Sequence, residues 1–198
     1  ADPDPDYEKA TLDFASYLLD RDKPFWKSFI VFQQSIADLA VINSLTQVFL
    51  KFTCPGIPDT YQGCESWDLS LVDPDNRRPV DYNARKNFLN NDSVSTLWEN
   101  RYSGNLKAWL TRLLFQLRKD FSDVFTEGIY LPLRVKGDHK NNVIAFARMH
   151  VNQWIVVIAP LHLATAEVDD INKIDWGKTS VMLPENAPLQ WQEQFSGK

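Results

Sequence analysis

Apolar residues recur every three to four positions through the N-terminal part of the chain, which is the spacing of amphipathic helices. This spacing predicts a first helix over residues 5–19, with Asp4 as its cap and Pro5 at its first position. A second helical stretch begins at Phe25, and a third covers about 43–53.

The clearest helical period begins at Ser103, and its leucine and aromatic residues continue to Phe125. Gly128 follows, and glycine commonly ends helices. Beyond Gly128 the apolar period shortens to two residues, which is typical of strands. Strands are predicted over residues 129–135, 143–149, 153–159 and 179–183.

Two of these strands, Val143–Phe146 and Trp154–Ile158, are almost entirely apolar, which predicts central strands buried on both faces. The change of period predicts an α+β fold with two parts. Residues 1–128 form a mostly helical part, and residues 129–198 form a small antiparallel, sandwich-like β domain.

The segment 54–85 is rich in proline and polar residues and lies between the two helical regions. Ile57–Gln62 is predicted as a short strand, and the remainder as a long ordered loop. Four apolar residues are expected to anchor that loop: Trp67, Leu69, Leu71 and Val72.

Composition excludes several classes of protein. The chain has 198 residues, 24% of them charged and 44% hydrophobic, which is average for a globular protein and excludes disorder. The net charge is −5 and basic residues do not cluster, so nucleic acid and anionic membranes are not expected as partners. The longest apolar run, Trp154–Ala159, is far shorter than the ~20 residues that cross a bilayer.

Cofactor and metal chemistry is also not expected. The sequence lacks the glycine-rich motifs that bind nucleotides, and no cysteine and histidine pairs have zinc-ligand spacing. Asp73 could begin a calcium loop, but Arg78 and Ala84 stand where an EF-hand requires glycine and glutamate. Cys54 and Cys64 are the two cysteines, which favours free thiols in a reducing cytoplasm.

The densest polar cluster lies within residues 73–82, where three carboxylates alternate with two guanidiniums between stiffening prolines. Such a cluster can present planar hydrogen-bonding groups to a hydroxyl-rich ligand. A loop whose ion pairs satisfy each other, and which merely supports a domain junction, fits the same residues equally well. The pattern alone does not separate these two interpretations.

A family resemblance favours the first of these interpretations. Residues 54–63, Cys-Pro-Gly-Ile-Pro-Asp-Thr-Tyr-Gln-Gly, resemble the PG-x-P-x-x-Y-x-G segment of the α-amylase superfamily, which forms the eighth strand of a (β/α)8 barrel. The continuation over 65–82 is similar to the maltooligosyltrehalose synthase family, and the specific match covers about 41–85. Thr60 and Cys64 depart from the expected residues.

The resemblance implies the C-terminal part of a (1→4)-α-D-glucan 1-α-D-glucosylmutase, an intramolecular glucosyltransferase without a cofactor. Its substrate is a maltooligosaccharide, whose reducing-end α-1,4 bond becomes an α,α-1,1 bond. The motifs that carry the family's catalytic acids are absent, so no catalytic residue is assigned and the chain is expected to be inactive alone.

The resemblance also implies sugar contacts by a set of polar and aromatic residues, with one of the two arginines facing the sugar and the other engaged in ion pairs within the loop. A non-catalytic carbohydrate-binding or structural module, and a fragment of another α-amylase-family hydrolase, are the alternatives. The predicted contacts are Tyr61, Gln62, Asp73, Asp75, Asn76, Arg77, Arg78 and Asp81.

Overall fold

The computed structural model describes residues 2–86, 88, 92–165 and 173–195. The fold combines helices with antiparallel sheets, as the pattern predicted. The chain divides into two compact units, Ala1–Ala40 and Val41–Lys198. Each is described by itself below.

The first unit contains helix α1, Pro5–Leu19, at the predicted bounds. The Asp4 carboxylate accepts hydrogen bonds from the backbone N–H groups of Asp6 and Tyr7, both at 3.1 Å. Pro5 occupies the first turn, where its missing N–H has no helical partner to lose. The start signals in the sequence were therefore sufficient to place this helix.

Helix α2 covers Pro24–Thr53 without interruption, so the prediction of two separate helices was wrong. Residues 37–42 contain neither glycine nor proline, and nothing there stops helical hydrogen bonding. By length and composition α2 also meets the criterion for a membrane span, although core helices of soluble proteins pass the same test. Gln33 and Asp38 interrupt its apolar run, which is why counting unbroken apolar residues missed it.

Four further α-helices lie among the described residues of the second unit. The predicted long helix breaks at Phe121, whose backbone leaves the helical region at φ −119° and ψ 41°. Two short helices in the stretch before Ser103, Tyr82–Lys86 and Val94–Glu99, were not predicted at all. The bounds are Tyr82–Lys86 for α3, Val94–Glu99 for α4, Asn105–Asp120 for α5 and Ser122–Thr126 for α6.

Five strands in two antiparallel sheets follow in the part of the chain that the structure describes. A three-stranded sheet has the order β1-β3-β4, and β2 pairs with β5 in the second sheet. The predicted strand over 129–135 is divided at Leu133, whose N–H still donates to Ala145 at 3.0 Å. The bounds are Ile129–Pro132, Arg134–Lys136, Val143–His150, Gln153–Pro160 and Ser180–Met182 for β1 to β5.

Strand β3 is central and buried along its middle, as expected. Strand β4 is an edge strand within the described sheet, and Ile158 is 52% exposed, so its predicted burial on both faces was wrong. A continuous apolar run does not reveal whether a second neighbour covers the strand. Helices end at Thr126 and strands begin at Ile129. A domain boundary at residue 128 stays a prediction.

The helices and the sheets of the second unit have separate hydrophobic cores, and we call these two parts the helical layer and the β layer. Val48 and Phe52 of α2 pack against Leu110 and Leu114 of α5 in the helical layer. The β layer packs around Leu133, Ala145 and Ala147.

Two arginines join the end of α2 to the rest of the second unit. Arg118 of α5 donates to the carbonyls of Phe52 at 2.8 Å and Gly56 at 3.0 Å. Arg148 of β3 is 2% exposed and donates to the carbonyl of Thr53 at 3.3 Å. Cations at a helix C-terminus bind carbonyls that have no helical partner and oppose the negative end of the helix dipole. These contacts fix where the polar segment after α2 begins.

That segment differs from the prediction in two respects. Residues 57–62 form no strand, since no neighbouring strand in the described part of the chain pairs with them. Leu69, Leu71 and Val72 are largely exposed, and only Trp67 is partly buried, so three of the four proposed anchors were wrong. Polar contacts stabilise this loop instead.

Candidate functional site: a polar hollow after helix α2

A hollow of about 530 Å³ lies in the loop that follows α2, and we call it the polar hollow. Backbone turns and short helices over residues 62–85 form its wall, so its shape depends on local hydrogen bonds. Its lining residues are Gln62, Gly63, Trp67, Asp68, Leu69, Ser70, Asp75, Asn76, Arg78, Pro79, Val80, Asp81 and Arg85.

The structure brings together five of the eight predicted site residues: Gln62, Asp75, Asn76, Arg78 and Asp81 line the polar hollow. The other three predicted residues are absent from its lining.

Tyr61, Asp73 and Arg77 are the predicted residues that lie outside the polar hollow. Tyr61 is 47% exposed and precedes Gln62, the first lining residue. Asp73 and Arg77 bind each other on the outer side of the same loop, as described next.

The two arginines of the cluster have different surroundings. Arg77 donates through Nε and Nη2 to the two carboxylate oxygens of Asp73, at 2.5 and 2.7 Å, so this fork is fully engaged. Arg78 donates through Nε to the backbone carbonyl of Asp75 at 3.1 Å and through Nη2 to its carboxylate at 3.2 Å. Arg78 faces the polar hollow and Arg77 does not.

The carboxylates of the cluster serve the loop itself. Asp75 accepts a hydrogen bond from the backbone N–H of Leu71 at 2.7 Å, which closes the loop on itself. Asp81 accepts from the N–H groups of Asn83 and Ala84, both at 3.0 Å, and so caps the first turn of α3. Asp81 forms no ion pair with Arg77 or Arg78 among the described contacts.

Arg85 is a site residue that the sequence analysis missed. Its Nε forms an ion pair with Glu65, and its Nη2 donates to the carbonyl of Gly63 at 2.9 Å. Its Nη1 donates to the carbonyl of Asp81 at 3.2 Å. One side chain therefore joins both ends of the loop across the polar hollow. The opposite charges of Glu65 and Arg85 were the available signal, but their separation of 20 residues concealed it.

Trp67 and Lys107 attach the loop to helix α5 and to the turn that precedes it. The indole Nε1 of Trp67 donates to the carbonyl of Arg101 at 2.9 Å. Lys107 Nζ donates to the carbonyl of Ser66 at 2.8 Å and lies 5.5 Å from the centre of the Trp67 ring, within cation–π range. Burial lowers the pKa of Lys107 below its ordinary value.

Asp68 adds a carboxylate to the lining that was not predicted. Hydrogen bonds from Ser70 lower the pKa of Asp68, and the Ser70 N–H donates to it at 3.0 Å. The lining also contains the carboxylates of Asp75 and Asp81 and the guanidiniums of Arg78 and Arg85. The hollow therefore presents negatively charged acceptor oxygens and positively charged N–H donors. Such a surface suits a neutral ligand with many hydroxyl groups.

Metal chemistry finds no support in the described part of the chain. Ranges 2–86, 92–165 and 173–195 contain no group of three histidine, cysteine or acidic residues placed to hold an ion. Cys54 and Cys64 are free thiols, and burial raises the pKa of Cys54.

Comparison with known proteins identifies relatives of this fold. No family model matches the chain. Two Mycobacterium tuberculosis proteins, of strains CDC 1551 / Oshkosh and H37Rv, are named as maltooligosyl trehalose synthases, and each is 31% identical over 160 residues. The match covers 78% of this chain and 17% of each relative.

Solved structures agree with these relatives. The fold matches the crystal structure of a maltooligosyl trehalose synthase with a TM-score of 0.70 and 32% identity, over 80% of this chain and 21% of that protein. It also matches the maltooligosyltrehalose synthase of Arthrobacter ramosus with a TM-score of 0.69 and 28% identity, over 91% and 22%.

The chain is therefore homologous to part of maltooligosyl trehalose synthase. This finding confirms the family resemblance of residues 41–85. The chain spans about a fifth of the length of the relatives it matches.

Proposed function

We propose that this chain is the C-terminal part of an enzyme that converts the reducing-end α-1,4 bond of a maltooligosaccharide into an α,α-1,1 bond. The reaction is an intramolecular transglucosylation by an α-amylase-type (β/α)8 barrel, to which residues 1–128 contribute the last elements. The similarity to maltooligosyl trehalose synthases over 78% of the chain carries the proposal.

In such a reaction an enzyme carboxylate attacks C1 of the penultimate glucose while a second carboxyl group, the acid/base, protonates O4 of the terminal glucose, and the bond between C1 and O4 breaks. In retaining enzymes the nucleophile and the acid/base lie about 5 Å apart, and a covalent glucosyl-enzyme forms. The terminal glucose then attacks C1 through its own 1-hydroxyl, which loses its proton to the acid/base and displaces the carboxylate. Water competes for the same carbon, so the reaction needs a site that excludes water.

The polar hollow is the contribution of this chain to that site. Loops that follow barrel strands lie at the catalytic face of a (β/α)8 barrel, and residues 63–82 follow the segment that resembles the eighth strand. Arg78 offers donors to sugar hydroxyls, while Asp68 offers acceptors. Hydrogen bonds from Arg85, Lys107 and Trp67 hold the loop in a fixed shape. A fixed loop keeps water out of the site, which favours isomerisation over hydrolysis.

Because the motifs for the nucleophile and the acid/base are absent from the sequence, the isolated chain has no activity in this proposal. We further propose a cytoplasmic location, no cofactor, and neither nucleic acid nor membrane as a partner. The acidic net charge of −5 supports the absence of nucleic acid.

The experiment compares the isolated chain with the complete polypeptide that contains it. Each is incubated with maltopentaose, and chromatography separates the trehalose-ended product from glucose. We expect no turnover by the isolated chain and formation of the trehalose-ended product by the complete polypeptide.

Two results would count against the proposal. Reproducible turnover by the pure isolated chain would contradict its role as a non-catalytic part. A complete polypeptide that releases only hydrolysis products would instead be a hydrolase of the same superfamily.

A further inference from the structure

A second and larger hollow, of about 760 Å³, lies among the strands of the β part. We call it the tryptophan hollow, after Trp176 and Trp191 in its wall. Val156 and Val181 form part of its floor and also pack against the β core, so the floor is continuous with a stable layer. The tryptophan hollow shares no lining residue with the polar hollow.

Trp176 is fixed in place before any ligand arrives. Its ring meets His139 edge-on, with 6.2 Å between the ring centres. Its carbonyl accepts from the Thr179 N–H at 3.0 Å, and the Thr179 hydroxyl accepts from the His139 N–H at 3.0 Å. A rigid aromatic side chain loses little conformational entropy on binding, so this arrangement favours a ligand that stacks.

The chemistry of the lining selects among ligand classes. Among the residues that the structure describes, the lining contains no lysine or arginine, and its one carboxylate, Glu193, accepts from the Phe195 N–H at 2.6 Å. An anionic ligand therefore finds no cation there. Trp191, which is 41% exposed, and Gln192 both line the hollow, so its wall offers an indole and an amide. Sugar rings offer the complement, with apolar C–H faces and hydroxyl edges.

We propose that the tryptophan hollow binds an α-1,4-glucan, apart from the polar hollow. The choice of this glucan rests on the proposed function, whereas the preference for a neutral sugar rests on the lining. A second contact on the same chain raises the effective concentration of the glucan near the reacting end.

The test is calorimetric titration of the 198-residue chain with borohydride-reduced maltoheptaose. This probe has no reducing end to isomerise, so its binding is independent of the proposed reaction. We expect the wild-type chain to bind it, and Trp191→Ala to weaken binding about fivefold or more. Gln192→Ala should weaken it as well. Leu189→Ala is the matched control, because Leu189 is 100% exposed, lies outside the hollow and should leave affinity unchanged.

Absence of binding by the wild-type chain would overturn the inference, and so would wild-type affinity in both Trp191→Ala and Gln192→Ala. Circular dichroism checks folding, and Gln192→Ala carries the test if Trp191→Ala does not fold. Sedimentation supplies a further check. If Trp191→Ala dissociates a dimer and leaves glucan affinity intact, the hollow is an interface between copies and the inference fails.

The two proposals fail separately. If the complete polypeptide forms no trehalose-ended product while Trp191 still determines glucan affinity, the proposed function fails and this inference stands.

Discussion

Arg148 and Thr53 lie 95 positions apart in sequence and are joined by a hydrogen bond from the guanidinium to the backbone carbonyl, at 3.3 Å. The same side chain donates to the carbonyls of Phe125 and Gly128, both at 3.1 Å. A strand residue therefore binds the last residue of α2 and the end of α6 at once. The β layer in this way fixes the start of the segment that leads to the polar hollow.

Arg148→Met should destabilise the second unit by about 3 kcal/mol or more, because it leaves buried carbonyls without donors. Arg134→Met on β2 is the control, since Arg134 is exposed and its loss should change the free energy of unfolding by at most about 0.5 kcal/mol. Urea unfolding of both variants measures the difference. Equal stability of the two would contradict the role assigned to Arg148.

Gly104→Ala should destabilise the loop that carries the polar hollow. Gly104 has φ +89°, and a Cβ there would overlap Ser66 Oγ and lie 3.1 Å from the Trp67 backbone nitrogen. Gly56→Ala is a matched control, because Gly56 also has a positive φ of +118° but open space around it. The control should cost about 1–2 kcal/mol from backbone strain, and Gly104→Ala about 1–3 kcal/mol more.

Thermal and urea unfolding provide both values. A Gly104→Ala variant no less stable than Gly56→Ala would show that the loop yields freely at Ser66, contrary to the rigid attachment described above.

Lys107 predicts a pH dependence. Burial lowers its pKa in the folded state from the ordinary 10.5, so the native protein releases this proton before the unfolded chain does. Between the lowered pKa and 10.5 the unfolded state binds more protons, and stability from this group therefore rises with pH. At pH values below the lowered pKa, Lys107 is charged in both the folded and the unfolded state. Burial of that charge then lowers the free energy of unfolding by its full amount.

Lys107→Met removes this titration and the bond to Ser66, which should cost about 1–2 kcal/mol near neutral pH. The stability of the wild type minus that of Lys107→Met should increase from pH 8 towards 10.5. Lys119→Met, a change of an exposed lysine on the same helix, is the control for the loss of a lysine. A difference that falls with pH for Lys107→Met would have the wrong sign for this account.

Local signals in the sequence predicted some elements well. Asp4 and Pro5 placed α1, and the change of apolar period placed the boundary between helices and strands near Gly128. The break of the long helix at Phe121 has no such signal, since no glycine or proline stands there.

The candidate site shows the same limit. The residues of the polar cluster, 73–82, are close in sequence, and the analysis found them because their charges stand out. Arg85 and Lys107 act through backbone carbonyls of Gly63 and Ser66, which every residue type possesses. A side chain that binds a distant carbonyl leaves no pattern in the sequence. The family resemblance of residues 41–85 did not indicate these contacts either.

Arg78 and Arg77 provide the most direct test of the role of the polar hollow. Lysine keeps the positive charge but loses the planar fork of donors, so Arg78→Lys in the complete polypeptide should lower formation of the trehalose-ended product. If the loop then admits water, glucose should rise relative to that product. Arg77→Lys is the matched control, because Arg77 is exposed and binds only Asp73 among the described contacts.

The decisive measurement is the ratio of trehalose-ended product to glucose from maltopentaose, together with the melting temperature, for both arginine variants of the complete polypeptide. The account predicts a lower ratio for Arg78→Lys, a nearly wild-type ratio for Arg77→Lys, and little change in either melting temperature. A wild-type ratio and turnover in Arg78→Lys would contradict it and leave the loop as a structural support.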